Sequence, residues 1–346
     1  MVLLKTKKKD NKDNKKNKTK TVKKKLNKLY ISPHLPKPIE TVIVQKIVSD
    51  EDIAKKEAHY FNNCDYYRTI TKDTDCIYWD DKEGKYKILF RFRKNVISDK
   101  LTDIAKNSYK KYAKILHNNR GAASGLLDRS KLSKYIGKLS NPKGFRSSYV
   151  GKYTKVKHNQ LISNLAPSNI VGYYDRFDRN LGQSRLPCRQ TAFNIKNKDL
   201  WEQSLPFIKR IDFLFKELAP EHYKRQKKRA QAVPKFAIGN TAYSTLTINH
   251  NWRTALHKDA GDYMDGIGNL TVVEEGKYKG GYLGFPGFGI KGKGPINIDV
   301  RNNDFLVMDV HQWHCNTEII PKDNEEYSRL SIVAYLREGM IRCKNL

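Results

Sequence analysis

The sequence predicts an α+β protein, with helices before about residue 236 and a β-sandwich or jelly roll after it. Three observations carry this. From about residue 236 onward the chain breaks into short β-branched and aromatic runs separated by Gly, Asn and Asp, with no helical periodicity. Before that, two segments, 98–116 and about 198–217, carry apolar residues at helical spacing. With 38% hydrophobic content, 20 Tyr and 13 Phe in 346 residues, the chain can bury a sizeable core.

In order along the chain, residues 1–28 are low-complexity Lys/Asn sequence, with thirteen lysines against Asp10 and Asp13, and are expected to be disordered. Order is expected from "TVIVQKIV" (41–48), and "YKILFRFRKNVIS" (86–98) reads as a strand. Ser98 then caps a helix whose stripe is Leu101, Ile104, Ala105, Tyr109, Tyr112 and Leu116. Residues 117–165, rich in Gly, Ser and Lys, show no clear period. The second helix presents Trp201, Leu205, Ile208, Ile211 and Phe215, again as core packing. "AYSTLTIN" (242–249), "NDFLVMDVHQWHCNTE" (303–318) and "RLSIVAYLRE" (329–338) are the clearest strands of the β-rich half. The chain thus divides into a tail (1–28), an N-terminal α/β extension (29–165) and a β core (166–346).

Two glycine motifs mislead. "GFGIKG" (287–292) fits a dinucleotide fingerprint, and "GFGIKGKG" nearly fits a phosphate loop. Both mechanisms need a helix directly after the loop, and here Pro295 and the strand-like "INIDV" follow. A wide hairpin loop is expected instead.

The net charge of +31 leaves +20 on the body after the tail is set aside, which points to a polyanionic partner, most simply nucleic acid. A lysine-biased composition is the competing account. The five scattered cysteines form no CxxC pair, which argues against a disulfide framework or zinc finger and fits a reducing compartment. With no signal-like segment and no 18-residue apolar run, a soluble intracellular protein without a membrane partner is expected, nuclear if the source is eukaryotic.

The chemistry-bearing stretch is "TALHKDAGDY" (254–263). Read as a strand, it puts His257 and Asp259 on the same face. A lone His-x-Asp is common by chance. Downstream, however, an apolar strand ends in His311 and His314, and Arg329 opens a further strand. Two imidazoles and a carboxylate bind ferrous iron on one side and leave positions open for oxygen chemistry. A guanidinium beyond them can grip the distal carboxylate of a 2-oxoglutarate that chelates the metal through its other end.

The runs "TLTINHNWRTALHKDAGDY", "GNLTVVEEGKYKGGYLGFP", "MDVHQWHCNTE" and "SRLSIVAYLREGM" resemble the oxygenase domain shared by the J-binding-protein thymine hydroxylases and the TET-type methylcytosine oxygenases. They look closest to the thymine hydroxylases. Weaker similarity runs upstream through "ILFRFRKNVIS", "NNRGAASG", "IVGYYDR" and "CRQTAFN", so the resemblance covers roughly 85–343. It implies a double-stranded β-helix (jelly-roll, cupin-like) with packed helices, using Fe(II), 2-oxoglutarate and O2 to hydroxylate the 5-methyl group of a pyrimidine flipped out of DNA. Thymine, giving 5-hydroxymethyluracil, is the favoured substrate. A 5-methylcytosine oxygenase, or a non-catalytic DNA-binding protein on the same scaffold, is the alternative.

His257 and Asp259 match the proximal ligands. His314, rather than His311, matches the distal one because it precedes "CNTE" and stands fifteen residues before Arg329, the match for the 2-oxoglutarate arginine. Period two along the last strand puts Arg329, Ser331, Val333, Tyr335 and Arg337 on one inward face. The resemblance makes Tyr335, Arg337 and Asp262 the substrate-binding residues, Tyr335 as a stacking plane and the other two as hydrogen-bonding partners of the base.

Overall fold

The β-branched runs of the second half become the strands that the sequence predicts, and short N-terminal strands join them. In this computed structural model the described residues are 35–114, 120–127, 161–163, 165–175, 188–323 and 325–345, and four two-residue strands between 116 and 158 are described by their backbone pairing. The lysine tail (1–28) and most of 117–165 lie outside the described residues. The main strands are β1 (Glu40–Lys46), β2 (Arg68–Ile70), β3 (Thr74–Asp80), β4 (Lys85–Arg93), β5 (Ser168–Tyr174), β6 (Thr245–His250), β7 (Gly268–Glu275), β8 (Leu283–Ile290), β9 (Gly294–Ile298), β10 (Phe305–Met308), β11 (Cys315–Asn316) and β12 (Ser328–Tyr335). The helices are α1 (Asp99–Tyr109), α2 (Ala192–Lys196), α3 (Lys198–Leu218) and α4 (Pro220–Gln231).

Pairing sorts the second half into two layers. One is the antiparallel order β6–β12–β7–β10. The other is β11–β8–β9, continued by a single bridge between His257 and His314. Followed along the chain, the backbone passes from one layer to the other and back: β6, His257, β7, β8 and β9, β10, β11, β12. That alternation is a double-stranded β-helix, so the fold is α+β with this core.

The N-terminal strands join the same sheet. β4 pairs with β10 (Phe90 opposite Met308), β3 with β4, and β1 runs parallel to β3 and antiparallel to β8. The space between the layers is filled from both parts of the chain. Phe90 stacks on Phe285 (centroids 6.1 Å apart), and Tyr78 packs on Phe288 at 4.9 Å. Val42, Val44, Val272, Ile296, Ile298 and Leu306 complete this core.

Outside the layers α1 packs on α3, with Phe207, Ile208, Ile211, Leu214 and Phe215 buried and Tyr109 against Phe193. Both helical stripes are therefore core. The first helix is shorter than expected: it ends at Tyr109 and tightens into a 3₁₀ turn over Lys110–Tyr112. Ser98 occupies the cap position, but its carbonyl, not its hydroxyl, receives the amides of Leu101 and Thr102.

Three expectations need correction. His257 and Asp259 do not lie in a regular strand; the backbone there makes a single bridge and then departs. The glycines of "GFGIKGKG" do not form a wide loop. Gly287 and Gly289 lie inside β8, and a Cβ on Gly289 would overlap the carbonyl of Gly294 on β9, so the glycine allows the two strands to close over a three-residue turn. Finally, Cys188 and Cys343 are joined as a disulfide with Cα atoms 6.2 Å apart, while Cys64, Cys76 and Cys315 are free. A spacing of 155 residues leaves no local pattern by which the pair is recognised in sequence.

Candidate functional site

The site starts from backbone pairing. The His257 amide donates to the His314 carbonyl and the His314 amide to the His257 carbonyl, both at 3.0 Å, and the Asp259 amide donates to the Val310 carbonyl at 3.1 Å. This brings His257, Asp259 and His314 together, with one ligand atom from each within 4.8 Å of the others. His257 Nε2 is 3.6 Å from Asp259 Oδ1, and His314 Nε2 is 4.0 Å from Oδ2. Each imidazole is oriented from behind, because Nδ1 of His257 donates to the Ala255 carbonyl (2.8 Å) and Nδ1 of His314 to the Gln312 carbonyl (2.9 Å). A carbonyl only accepts, so Nδ1 carries the proton and Nε2 presents its lone pair inward. Burial, reinforced by His314 alongside, pushes His257 down to about 4, which leaves it neutral. His311 stands apart, its Nε2 donating to the Tyr263 carbonyl at 3.3 Å.

The three side chains open into a cavity of about 710 Å³. Its walls include Ser331, Val333, Tyr335 and Arg337 in alternation, four of the five residues that the sequence places on one inward face. Arg329, at the start of the same strand, is 2% exposed. Its Nη2 donates to the Gly281 carbonyl at 3.1 Å, its Nε has no partner, and no carboxylate pairs with it among the described residues. A buried guanidinium in this state is a place for an incoming carboxylate. Asn251, at a positive φ of 47°, fixes it: the Arg329 amide donates to Asn251 Oδ1 (2.7 Å), and the Asn251 amide donates to the Arg329 carbonyl.

At the other end of the cavity Asp262 and Arg337 are bridged through their backbones. Asp262 Oδ2 is buried without a partner, and burial, with Asp259 nearby, raises this carboxyl well above the usual range. Tyr335 is buried, with its hydroxyl 3.3 Å from Thr247 Oγ1. Two residues to which the sequence assigned no role complete this end. Asp175 pairs with Nε of Arg337 and, at 3.3 Å, with Arg342, so Arg337 is held from behind. Arg120 lines the cavity with Nε and Nη2 buried and unpartnered, its charge disfavoured by burial and supported by Tyr335 and Asp259. The small residues after it were a usable signal: Gly121, Ala122 and Ala123 also form the wall and leave the guanidinium room.

Residues 169–338, which hold all of these site residues except Arg120 to Ala123 and Arg342, match the family described as the oxygenase domain of the 2OGFeDO superfamily, Tet_JBP. This segment resembles a Tet_JBP oxygenase domain. Among curated proteins, the bifunctional helicase and thymine dioxygenase JBP2 of Leishmania tarentolae is 37% identical over 175 residues, 50% of this chain and 15% of that protein. Thymine dioxygenase JBP1 of Leishmania infantum is 30% identical over 227 residues, 65% of this chain and 26% of the relative. The chain therefore spans about a quarter or less of the length of these relatives. The solved structure of NgTET1 in complex with 5mC DNA aligns over 78% of this chain and 79% of that one, at 12% identity and a TM-score of 0.42.

Proposed function

We propose that the Tet_JBP-like domain of this chain is an Fe(II)- and 2-oxoglutarate-dependent dioxygenase that hydroxylates the 5-methyl group of thymine in DNA, giving 5-hydroxymethyluracil. The observation that carries it is the convergence of His257, Asp259 and His314 in a cavity whose last strand begins with the buried, unpaired guanidinium of Arg329. The donor set fits the metal: two neutral imidazole nitrogens and a carboxylate suit ferrous iron and leave coordination positions free. When bound, the iron would supply the activation of O2 that oxidises the methyl group, with 2-oxoglutarate leaving as succinate and CO2.

The chain's part is to hold and exclude. The Ala255 and Gln312 carbonyls keep both Nε2 atoms turned inward. Arg329 binds the distal carboxylate of 2-oxoglutarate through Nε, and Arg120 lies where a second anionic group near Asp259 finds a donor. Leu270, Leu283, Met308, Val310 and Val333 keep water from the walls. Tyr335 offers a plane for a flipped base, and Arg337, held by Asp175, a donor for one of its carbonyls.

Thymine is favoured for two reasons. The curated relatives are named thymine dioxygenases. Moreover, an ionised Asp262 only accepts and suits the 4-amino group of cytosine, whereas burial raises this carboxyl and so favours the protonated form, whose O–H suits the 4-carbonyl of thymine. Asp262 and Arg337 then work toward the same base.

The test is incubation with Fe(II), 2-oxoglutarate and two duplexes, one with thymine only and one also bearing 5-methylcytosine, followed by nucleoside mass spectrometry. Hydroxymethyluracil is expected from both. Hydroxymethylcytosine alone would overturn the thymine assignment. Anaerobic Fe(II) and 2-oxoglutarate should give the weak visible charge-transfer band of the chelate, and Asp259→Ala should abolish it; a wild-type protein that binds neither would overturn the enzyme reading.

A further inference from the structure

We infer that α4, with Lys216 at the end of α3, is the surface that holds the phosphate backbone of the duplex beside the flipped base; this rests on DNA being the substrate. In twelve residues α4 places Lys224, Arg225, Lys227, Lys228 and Arg229 against the single acid Glu221. Its inner face is polar and bonded to the core. Gln226 Nε2 donates to the Ala242 carbonyl (2.9 Å), and Gln226 Oε1 accepts from the Ile267 amide (3.4 Å). Arg225 Nε donates to the Asp265 carbonyl (3.4 Å), and Arg229 pairs with Glu338 at 2.8 Å and lies over the Tyr263 ring. These partners, Tyr263, Asp265, Ile267 and Glu338, directly follow Asp262 and Arg337, which line the cavity. The helix is thus bolted to the two segments that continue from the base-binding end of the site.

Its outer face is unspent charge. Lys216, Lys224 and Lys228 are exposed and border a shallow groove of about 680 Å³ between the end of α3 and α4. None of the three has a carboxylate partner among the described residues, although Glu217 also borders the groove; Lys227, beside them, is bonded to Asn240. Twelve residues span about 18 Å, or about five phosphate steps along one strand. Lysines act there as flexible point charges, which suits contacts that position the duplex without reading its sequence. A membrane would need an apolar face beside the charges, and the one apolar residue α4 turns fully inward, Ala230, is buried. An acidic protein would need exposed aromatic or aliphatic anchors, which this groove does not offer beyond Tyr223.

The test replaces Lys216, Lys224 and Lys228 by Gln in the full chain and measures binding to a thymine-containing duplex between 50 and 200 mM salt. The slope of log Kobs against log salt should become shallower by about 2–3, and the affinity at low salt should fall about 10–100-fold. The Fe(II)/2-oxoglutarate band should be unchanged, which checks that the domain is intact. The same loss of three charges at Lys82, Lys85 and Lys291 should leave the slope as it was. A triple variant with the wild-type slope would overturn the assignment, as would unaltered duplex binding with lost binding to phosphatidylserine vesicles. A wild-type protein that shows no salt-dependent duplex binding overturns the DNA reading itself, and that failure is visible before any variant is made.

Discussion

Arg329 has the most sharply testable environment of any residue in the site. Its backbone is fixed by Asn251, and its buried guanidinium donates to the Gly281 carbonyl and lacks a carboxylate among the described residues. Arg329→Lys keeps the charge but loses the fixed planar donors, and hydrogen bonds to charged groups contribute about 1.5–3 kcal/mol. The dissociation constant for 2-oxoglutarate, titrated through the chelate band, should rise about 10–100-fold while iron binding persists. A change under twofold would exclude Arg329 as the carboxylate partner. Asp262 gives a pH signature. Its carboxyl is raised by burial and by Asp259, opposed by Arg337, and it faces Tyr335. The donating form exists below the folded pKa and is lost as pH rises through it, so thymine oxidation should fall on the alkaline side. Asp262→Asn should remove that limb, because an amide donates at every pH. An identical alkaline limb in the variant would assign it to another group.

At the scale of elements, legibility followed apolar periodicity. α1 and α3 were visible because Leu101, Tyr109, Ile208, Ile211 and Phe215 are buried at helical spacing. α4 was invisible for the complementary reason: its buried residues are Gln226 and Ala230, so it carries no stripe. The metal triad was legible as residues, and choosing His314 over His311 needed the resemblance, since both follow the same apolar strand. Asp175 could not be read at all, because its role exists only through a contact with Arg337, 162 residues away. That contact depends on a glycine. A Cβ at Gly339 would overlap the Asp175 carboxylate and crowd Arg342. Gly339→Ala should therefore displace the support behind Arg337. The expected result is a several-fold fall in turnover on DNA, about 1–3 kcal/mol of lost stability in denaturant melts, and unchanged 2-oxoglutarate binding at the opposite end of the cavity. Weakened 2-oxoglutarate binding would mean that the two ends are not independent.

For the whole molecule, the N-terminal extension before residue 165 and the β core after it share one sheet. Residues 37–346 cluster as one unit, and among the described residues no helix is long and apolar enough to cross a membrane. β4 lies against β10, and β1 links β3 to β8, so residues 40–93 connect the two layers of the double-stranded β-helix. They also fill it. Val42, Val44, Ile70, Cys76, Tyr78, Leu89, Phe90 and Phe92 are all buried in the same cluster as Val272, Phe285 and Leu306. At about 1.5–3 kcal/mol for each large apolar side chain, their removal costs more than 10 kcal/mol, comparable with the roughly 5–15 kcal/mol that holds a typical domain folded. Removal would also expose the edges of β8 and β10 to intermolecular pairing. A chain begun at residue 166, although it retains the iron triad and Arg329, should therefore aggregate or lack a cooperative thermal transition. A chain begun at residue 35 should melt as the full chain does and bind Fe(II) and 2-oxoglutarate equally well. Cooperative unfolding of the 166–346 piece, followed by circular dichroism, would show that the N-terminal strands are an accessory to the core rather than part of it.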